Sequence, residues 1–259
     1  MNIHIIGGGN LGVAIAIGIS KYTTDNAVTI TRRGVEKIQY LEDSGIVVSA
    51  SNTDNIQNAD LIILTIKPYQ VDAVLTEILP FLNKKTIIAS AVSGLSIDDL
   101  VQKSANKHAI IHIMPNIAIR FGQSATCISF NESEKIEGKI VTDLFDNLGT
   151  VSIIDEKLMD AATVLGACGT AYALRYIRAS MQAGIEIGFD AATALNIASQ
   201  TAKGAATMAL EEKIHPEQLI DRVTTPQGCT IVGLNEMEHE GFSSSLIKGI
   251  KTSLKKIKG

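Results

Sequence analysis

Residues 2–12 read NIHIIGGGNLG, and this stretch decides the fold of the first half of the chain. A run rich in β-branched residues ends at three glycines, and the residues from Leu11 onward have the spacing of an amphipathic helix. The glycines fit the pattern G-x-G-x-x-G, which is typical of a dinucleotide-binding turn when it joins a strand to a helix. The alternative is a plain glycine-rich turn without a ligand.

Each glycine of the pattern has its own task in such a turn. Gly7 allows the tight bend, Gly9 lets a pyrophosphate approach the backbone, and Gly12 lets the helix pack closely on the strand. Free N–H groups at the start of the helix then face the phosphate. We therefore place Gly7, Gly9, Asn10, Leu11 and Gly12 in a cofactor site.

Short β-branched runs alternate with helical patterns up to about residue 155, which predicts βαβ units and a mostly parallel sheet of the Rossmann type. The predicted strands are Asn2–Ile6, Val28–Thr31, Ile46–Ala50, Leu61–Ile66, Thr86–Ser90, Ala109–Ile113, Ala125–Phe130 and Thr150–Ile154. The helical patterns between the early strands are Leu11–Lys21, Val35–Ser44 and Gln70–Pro80.

Beyond residue 155 the strand pattern stops, and only helical spacing follows. We therefore predict a dinucleotide-binding domain over residues 1–155 and an all-α domain over residues 156–259. The predicted helices are Lys157–Glu186, Asp190–Leu210 with Asp190 as N-cap, Pro216–Val223, Ile231–Glu240 and Ser243–Lys258. Helices that are apolar most of the way round are usually buried, so we expect a second subunit to cover part of this domain.

The composition excludes several classes of protein. The 259 residues carry a net charge of −4, 4% aromatic residues and no tryptophan, which argues against a nucleic-acid partner. Hydrophobic runs are too short for a membrane span. Cys127, Cys168 and Cys229 are far apart and odd in number, so we expect no disulfide framework, no metal site and a cytoplasmic location.

The residues Thr31-Arg32-Arg33 follow the glycine turn by about 20 positions, where the dinucleotide fingerprint places the group that contacts the ribose. An acidic residue there would accept hydrogen bonds from the ribose of NAD. A guanidinium group suits a 2′-phosphate, so the sequence favours NADPH, with NADH as the alternative cofactor. The competing interpretation is that both arginines are solvated.

The stretch Thr224–Thr230 is polar and rich in turn residues, and a helix follows it. Exposed N–H groups at a helix start are able to hold a carboxylate. Thr230 either caps this helix or directs its hydroxyl at a substrate, and the residues alone leave both readings open. No histidine lies near Cys229 in sequence, which argues against a nucleophilic role. His112, at the end of a strand, is either structural or close to a ligand.

In combination these residues resemble the pyrroline-5-carboxylate reductase family over nearly the whole chain. The motifs that carry the resemblance are IIGGGNLG at 5–12, Lys67-Pro68, Ser90-Ala91-Val92-Ser93-Gly94, Met114-Pro115-Asn116, Gly169-Thr170-Ala171-Tyr172, residues 200–205, Val223-Thr224-Thr225-Pro226, and Gly233-Leu234 with Glu238 and Gly241. Each motif is unspecific alone, whereas their order and spacing together are specific.

The resemblance implies NADPH-dependent reduction of 1-pyrroline-5-carboxylate to L-proline. It implies cofactor contacts from the glycine turn, Thr31, Arg32, Arg33, Asn52, Lys67, Pro68, Ser90 and Ala91. The turn that contains Thr225, Gly228 and Cys229 would bind the substrate carboxylate through backbone N–H groups, Asn116 would help to bind the substrate, and the Thr230 hydroxyl would meet the substrate nitrogen. A homodimer formed through the helical domain is implied, and in some members a ring of dimers.

The chain also departs from the family pattern. Its small-residue motif reads Gly166-Ala167-Cys168-Gly169-Thr170, Gln227 replaces a glycine, His112 replaces a frequent arginine, and Ile117-Ala118 replaces Thr-Pro. These departures bear on the ring size of the substrate. The alternatives are a reductase of another cyclic imino acid and an NADP-binding regulator without turnover. A β-hydroxyacid dehydrogenase would need a lysine in the long interdomain helix, where none stands between Lys157 and Lys203.

Overall fold

The computed structural model describes residues 1–105 and 107–258, so Gly259, the predicted end of the second domain, lies outside the described residues. The described strands form one sheet in the order β3-β2-β1-β4-β5-β6-β7-β8. These strands are β1 (Asn2–Ile6), β2 (Ala27–Thr31), β3 (Val47–Ser49), β4 (Leu61–Leu64), β5 (Ile87–Ser90), β6 (Ile110–Met114), β7 (Ser124–Ser129) and β8 (Gly149–Ile153). All eight predicted strands are confirmed, with bounds that differ by two residues at most.

Strands β1 to β6 run parallel, β7 is antiparallel to β6, and β8 is parallel to β7. The predicted Rossmann-type, mostly parallel sheet is therefore confirmed. The helices of this part are α1 (Asn10–Tyr22), α2 (Val71–Ile78), α3 (Ile97–Lys103) and α4 (Lys135–Asp146).

Helices cover both faces of the sheet, which explains why every residue of β4 and β5 is buried. On one face, Ile5 and Ile63 belong to a core cluster with Ile15 of α1 and Phe145 of α4. On the other face, Ile62 and Leu64 of β4 belong to a second cluster with Leu75 of α2 and Leu100 of α3. The central strands of the sheet are therefore buried on both sides within the single chain.

The expected helix over Val35–Ser44 is wrong in type. The segment forms two 3₁₀ turns, Val35–Lys37 and Gln39–Ser44, and Ile38 between them has a φ of −130°. Ile38 and Leu41 are both buried. Their spacing of three residues brings both side chains to one side of a 3₁₀ helix, which has three residues per turn. Packing against the core thus outweighs the helical propensity of the segment.

The long helical run from Lys157 is interrupted. A 3₁₀ turn at Glu156–Leu158 leads into α5 (Met159–Ala162), a π-helical segment covers Thr163–Cys168, and α6 (Gly169–Glu186) follows. The π-helical segment overlaps the small-residue motif that departs from the family pattern, at residues 166–168. Because a π turn leaves carbonyl groups without their usual i+4 partner, such segments often mark functional positions.

Backbone contacts divide the chain between Thr170 and Ala171, whereas the sequence places the domain boundary at 155/156, which stays a prediction. We call Met1–Thr170 the α/β unit and Ala171–Lys256 the helical unit. The helical unit continues with α7 (Ala191–Glu212), α8 (Pro216–Val223), α9 (Cys229–His239) and α10 (Phe242–Lys258). The predicted N-cap is confirmed, since Asp190 Oδ1 accepts hydrogen bonds from the N–H groups of Ala192 and Thr193, both at 3.0 Å.

The helical unit buries little of its own apolar surface. Among its described side chains, the hydrophobic residues that are buried are Ala194, Ala198 and Leu219. Across residues 1–105 and 107–258, no helix combines the length and apolar character needed to cross a membrane.

Candidate active site

The glycine turn joins β1 to α1 at the carboxyl edge of the sheet. Gly7 has a φ of +118°, a conformation that side chains other than glycine rarely adopt, and a Cβ at Gly7 would lie 2.6 Å from the carbonyl oxygen of Thr65. The N–H groups of Gly7 and Gly8 both point at the carbonyl oxygen of Thr31, at 3.2 and 2.9 Å. The turn is therefore held between the ends of β2 and β4.

Gly12 and Gly9 serve different purposes. A Cβ at Gly12 would lie 2.0 Å from the carbonyl oxygen of Gly7, so α1 packs against the turn only because this residue has no side chain. A Cβ at Gly9 would meet nothing within 4 Å, so the turn is open at this point. Gly9 is also the N-cap of α1 and supplies no side-chain acceptor, which leaves the N–H groups of the first turn free for a ligand such as phosphate.

A cleft of about 910 Å³ lies against this turn. Eleven of the thirteen residues expected to contact the cofactor line it: Gly7, Gly9, Asn10, Leu11, Thr31, Arg32, Arg33, Asn52, Lys67, Pro68 and Ala91. Gly12 and Ser90 do not line the cleft. Gly12 acts through packing, and Ser90 is fully buried with its Oγ accepting a hydrogen bond from the N–H of Val92 at 3.2 Å.

The two arginines differ in their surroundings. Arg32 is half-buried, and its Nη1 donates a hydrogen bond to the carbonyl oxygen of Gly8 at 2.5 Å. Arg33 is exposed at the rim of the cleft. The interpretation that both arginines are solvated is therefore wrong for Arg32, because its guanidinium braces the glycine turn while it lines the cleft.

Asn52 connects the end of β2 to a carboxylate. The Thr31 hydroxyl donates to Asn52 Oδ1 at 2.6 Å, and Asn52 Nδ2 donates to Glu77 Oε2 at 2.9 Å. All three residues line the cleft. The side chain of Asn52 is thus oriented before any ligand arrives.

The cleft also contains residues that the sequence analysis did not single out, among them Thr65, Gln70, Glu77 and Ser93. Thr65 follows β4, and its hydroxyl donates to the carbonyl oxygen of Gly7 at 2.8 Å. Gln70, Ala73 and Glu77 recur at the spacing of one helix face, opposite the buried residues of α2. That spacing was the available signal for Glu77.

The polar stretch of the helical unit forms a tight turn. The N–H of Gly228 donates to the carbonyl oxygen of Thr225 at 2.9 Å, with Pro226 and Gln227 between them. Gln227 has a φ of +63°, the left-handed conformation that the third residue of a type II turn requires. The glutamine therefore keeps the backbone shape that a glycine would adopt there, at a cost of roughly 1–2 kcal/mol.

Helix α9 begins at Cys229 rather than at the expected Ile231, and its N-cap is Gly228. Thr230 is therefore the second residue of the helix, and the reading that Thr230 caps it is wrong. Cys229 and Thr230 are both exposed. A glycine N-cap has no side chain to satisfy the first N–H groups, so the start of α9 is suited to bind an anion.

Asn116 lies in the α/β unit and is nearly buried. Its Oδ1 accepts from the N–H of Ala118 at 3.0 Å, and its Nδ2 donates to the carbonyl oxygen of Gly166 in the π-helical segment at 3.4 Å. Both ends of the amide thus bond to the protein, and the role of Asn116 in substrate binding stays a prediction.

His112 is buried in β6. Its side chain is 4% exposed, and Nδ1 lies 2.8 Å from Glu156 Oε1, which also accepts from the N–H of Ile97 at 3.1 Å. The pair joins β6 to the first turn of α3 and to the 3₁₀ turn at Glu156–Leu158. The contacts of Nδ1 favour the structural reading of His112, whereas its Nε2 is buried with no hydrogen-bond partner among the described residues, so the role of His112 stays a prediction.

Comparison with known proteins extends these observations. The family model described as pyrroline-5-carboxylate reductase dimerisation matches residues 156–259, and the model described as NADP oxidoreductase coenzyme F420-dependent matches residues 2–94. The chain is 43% identical to pyrroline-5-carboxylate reductase 1 of Dictyostelium discoideum, over 97% of its own length and 48% of that protein's. The chain therefore spans about half of that relative.

Two further relatives are matched over almost their whole length. Pyrroline-5-carboxylate reductase 2 of Dictyostelium discoideum is 40% identical, over 98% of this chain and 91% of the relative. The crystal structure of Plasmodium falciparum pyrroline carboxylate reductase with NADP bound superposes with a TM-score of 0.88 at 26% identity, covering 100% of this chain and 97% of that one. The predicted resemblance is confirmed, and the chain belongs to the pyrroline-5-carboxylate reductase family.

Proposed function

We propose that this protein reduces 1-pyrroline-5-carboxylate to L-proline with NADPH. The observation that carries the proposal is the glycine turn, open at Gly9 and backed by a cleft of about 910 Å³, in a chain of this family. A Cβ at residue 9 would occupy the space that a pyrophosphate needs, so the turn fits a dinucleotide. The NADP bound to the Plasmodium falciparum relative supports the same cofactor.

The residues of the cleft have separable tasks in this proposal. The N–H groups of Asn10 and Leu11 bind the pyrophosphate, and Arg32 and Arg33 attract a 2′-phosphate at the end of β2. The bound nicotinamide supplies a hydride. Lys67 and Ala91, at the ends of neighbouring strands, belong to the same wall of the cleft.

In the helical unit, the start of α9 binds the substrate carboxylate. The N–H groups of Cys229 and Thr230 belong to the first turn of the helix, and the turn from Thr225 to Gly228 positions them. A carboxylate is stabilised there by the helix dipole and by direct N–H donation. The Thr230 hydroxyl then meets the ring nitrogen of the substrate.

The reaction does not require a strong acid from the protein. A cyclic imine is readily protonated on nitrogen, and its carbon is then electrophilic before the enzyme acts. The contribution of the chain is to hold the carboxylate and the nitrogen in one orientation. This assignment suits a turn that offers a hydroxyl and backbone donors but no histidine or lysine.

We further propose a homodimer formed by the helical unit. A groove of about 580 Å³ in this unit has apolar walls that include Tyr176, Met237, Phe242 and Leu246. Contiguous exposed apolar side chains of this kind often belong to an interaction site. The name of the family model that matches residues 156–259 supports a second copy as the occupant, and rings of dimers are an extension of the same contact.

A cytoplasmic location completes the proposal. Cys127, Cys168 and Cys229 are all free thiols in the structure, which suits a reducing compartment.

The test is an optical assay of NADPH oxidation with five-membered and six-membered cyclic imino acids side by side. We expect faster turnover with the five-membered ring. Preference for the six-membered ring would favour the second candidate function, a reductase of another cyclic imino acid. The observation that favours this second candidate is Gln227, which stands where the family pattern has a glycine in the substrate turn.

A variant of Thr230 tests the assigned role. We expect Thr230→Ala to lower kcat by roughly tenfold to a hundredfold while NADPH binding is retained, because one hydrogen bond at the reacting nitrogen is lost. Thr252→Ala, an exposed threonine on α10, is the control and keeps full activity. Undiminished turnover in Thr230→Ala would refute the role given to its hydroxyl.

A further inference from the structure

Glu77 is an acidic residue in a cofactor cleft whose other charged lining residues are basic. The positive side chains that line it are Arg32, Arg33 and Lys67, and among the described lining residues Glu77 is the one carboxylate. Glu77 projects from α2 on the face opposite the buried Leu75 and Ile78. A negative group beside a binding site for a phosphorylated cofactor calls for an explanation.

The hydrogen bonds of Glu77 fix the orientation of its neighbours. An ionised carboxylate only accepts hydrogen bonds, so the amide of Asn52 must turn its Nδ2 toward Glu77, at 2.9 Å. Its Oδ1 then faces Thr31, and an amide oxygen also only accepts. The Thr31 hydroxyl must therefore direct its single proton at Asn52, at 2.6 Å.

The consequence appears at the end of β2. With its proton engaged, the Thr31 oxygen offers only lone pairs to a ligand. A ribose 2′-hydroxyl is able to donate a hydrogen bond to such an oxygen. A 2′-phosphate only accepts hydrogen bonds, so it forms none with this oxygen. The chain from Glu77 through Asn52 to Thr31 thus favours a hydroxyl, while the two arginines favour a phosphate.

We propose that Glu77 is a specificity-determining positioning residue, which acts through Asn52 and Thr31 to reduce the preference of this protein for NADPH over NADH. This inference rests on the proposed function, because it concerns the cofactor of the same site. It concerns how the balance between the two cofactors is set, by the opposition of Glu77 to Arg32 and Arg33.

The effect runs through hydrogen-bond direction more than through charge. Glu77 is exposed, so solvent screens its repulsion of a distant phosphate. Thr31, in contrast, is 1% exposed and yet lines the cleft, so the direction of its hydroxyl proton is set by Asn52 and not by solvent. A substitution that frees Asn52 to rotate restores a donor at Thr31 even if nothing else moves.

The test is calorimetric titration of NADPH and NADH into the full-length protein. We expect Glu77→Gln and Glu77→Ala to raise the dissociation constant of NADH divided by that of NADPH by about fivefold to tenfold, the net effect of one ordinary hydrogen bond. A glutamine offers either a donor or an acceptor, so it no longer dictates the orientation of Asn52.

Two variants make the test specific. Asp72→Asn removes one negative charge from the same helix, at a carboxylate that pairs with Lys103, and leaves the ratio unchanged. In a Thr31→Val background the hydroxyl is gone, so Glu77→Gln no longer shifts the ratio.

The outcomes separate this inference from the proposed function. If the wild-type protein binds both cofactors and reduces the imine, but Glu77→Gln leaves the ratio unchanged or shifts it no more than Asp72→Asn, the inference is overturned and the function stands. A shift that persists in the Thr31→Val background overturns the route through Thr31. If the wild-type protein binds neither cofactor, both the function and the inference fail.

Discussion

The α/β unit and the helical unit place their apolar residues differently. In the α/β unit, Ile5, Ile63 and Phe145 are completely buried within the single chain. In the helical unit, Ile187 is 77% exposed and Leu210 is 63% exposed, although both lie on or beside well-formed helices. The same kinds of residue thus form a core in one unit and a surface in the other.

The difference shows what each unit needs in order to be stable. Burial of apolar area is the main favourable term in folding, and the α/β unit obtains it from its own sheet and helices. Among its described residues the helical unit buries only Ala194, Ala198 and Leu219, so in the proposed dimer a second copy would supply the apolar surface that covers it. The residues that line the cofactor cleft all belong to the α/β unit, whereas the exposed apolar surface of the helical unit supports the proposed association.

The largest expected effect is on the core of the α/β unit. Phe145→Ala removes a fully buried ring from α4 and should lower the free energy of unfolding by about 3–5 kcal/mol. Phe81→Ala, at a ring that is 54% exposed, is the control and should cost less than about 1 kcal/mol. Chemical denaturation at two protein concentrations checks both values. A cost for Phe145→Ala that depended on protein concentration would contradict a core contained in one chain.

The next effect is on the helical unit. Leu246→Glu places a charge in the apolar groove, at a side chain that is 42% exposed in the single chain. We expect self-association to weaken by about a hundredfold, near 3 kcal/mol, because an unpaired charge would be buried in the dimer. Sedimentation velocity measures the change.

Ile136→Glu is the matched control, since Ile136 on α4 is 75% exposed and belongs to the α/β unit. It should leave the oligomeric state unchanged. If both substitutions weakened self-association equally, or if the wild-type protein stayed monomeric, the proposal that the helical unit forms the dimer would be contradicted.

The smallest of the three expected effects is a difference between two glycines of the same turn, of which one affects stability and the other affects cofactor binding. Gly12→Ala forces a methyl group against the carbonyl of Gly7 and should destabilise the α/β unit by about 1–3 kcal/mol. Gly9→Ala meets open space, so thermal stability should hold while the dissociation constant for NADPH rises. Thermal unfolding and a binding titration on both variants separate packing from ligand contact. Loss of stability in Gly9→Ala with intact binding would reverse the roles given to these residues.

The parts of the fold that depend on local sequence were predictable. The strands were found because β-branched runs bury both faces of a parallel sheet, and the glycine turn was found because its backbone geometry admits few residue types. The two 3₁₀ turns around Ile38 were not predicted, because the burial of Ile38 and Leu41 overrides local propensity there. The π-helical segment over Thr163–Cys168 was not predicted either.

The site, like the fold, was predictable from the sequence where its residues follow from local sequence and sheet topology. Cleft residues on the turn and at the strand ends follow from topology, since ligands bind at the carboxyl edge of such sheets. Glu77 was missed because its role depends on a hydrogen bond to Asn52, 25 positions away. The start of α9 was misplaced by two residues because its N-cap is a glycine, which gives a weaker signal than serine, threonine or aspartate.

The most direct test of the account is a stoichiometric one. Purified protein is mixed with NADPH and 1-pyrroline-5-carboxylate, and the NADPH consumed is compared with the proline formed, which is quantified by mass spectrometry. We predict that the two quantities agree mole for mole and that Gly9→Ala slows both equally. Binding of NADPH without any formation of proline would show that the cleft serves another purpose and would contradict the function proposed for this chain.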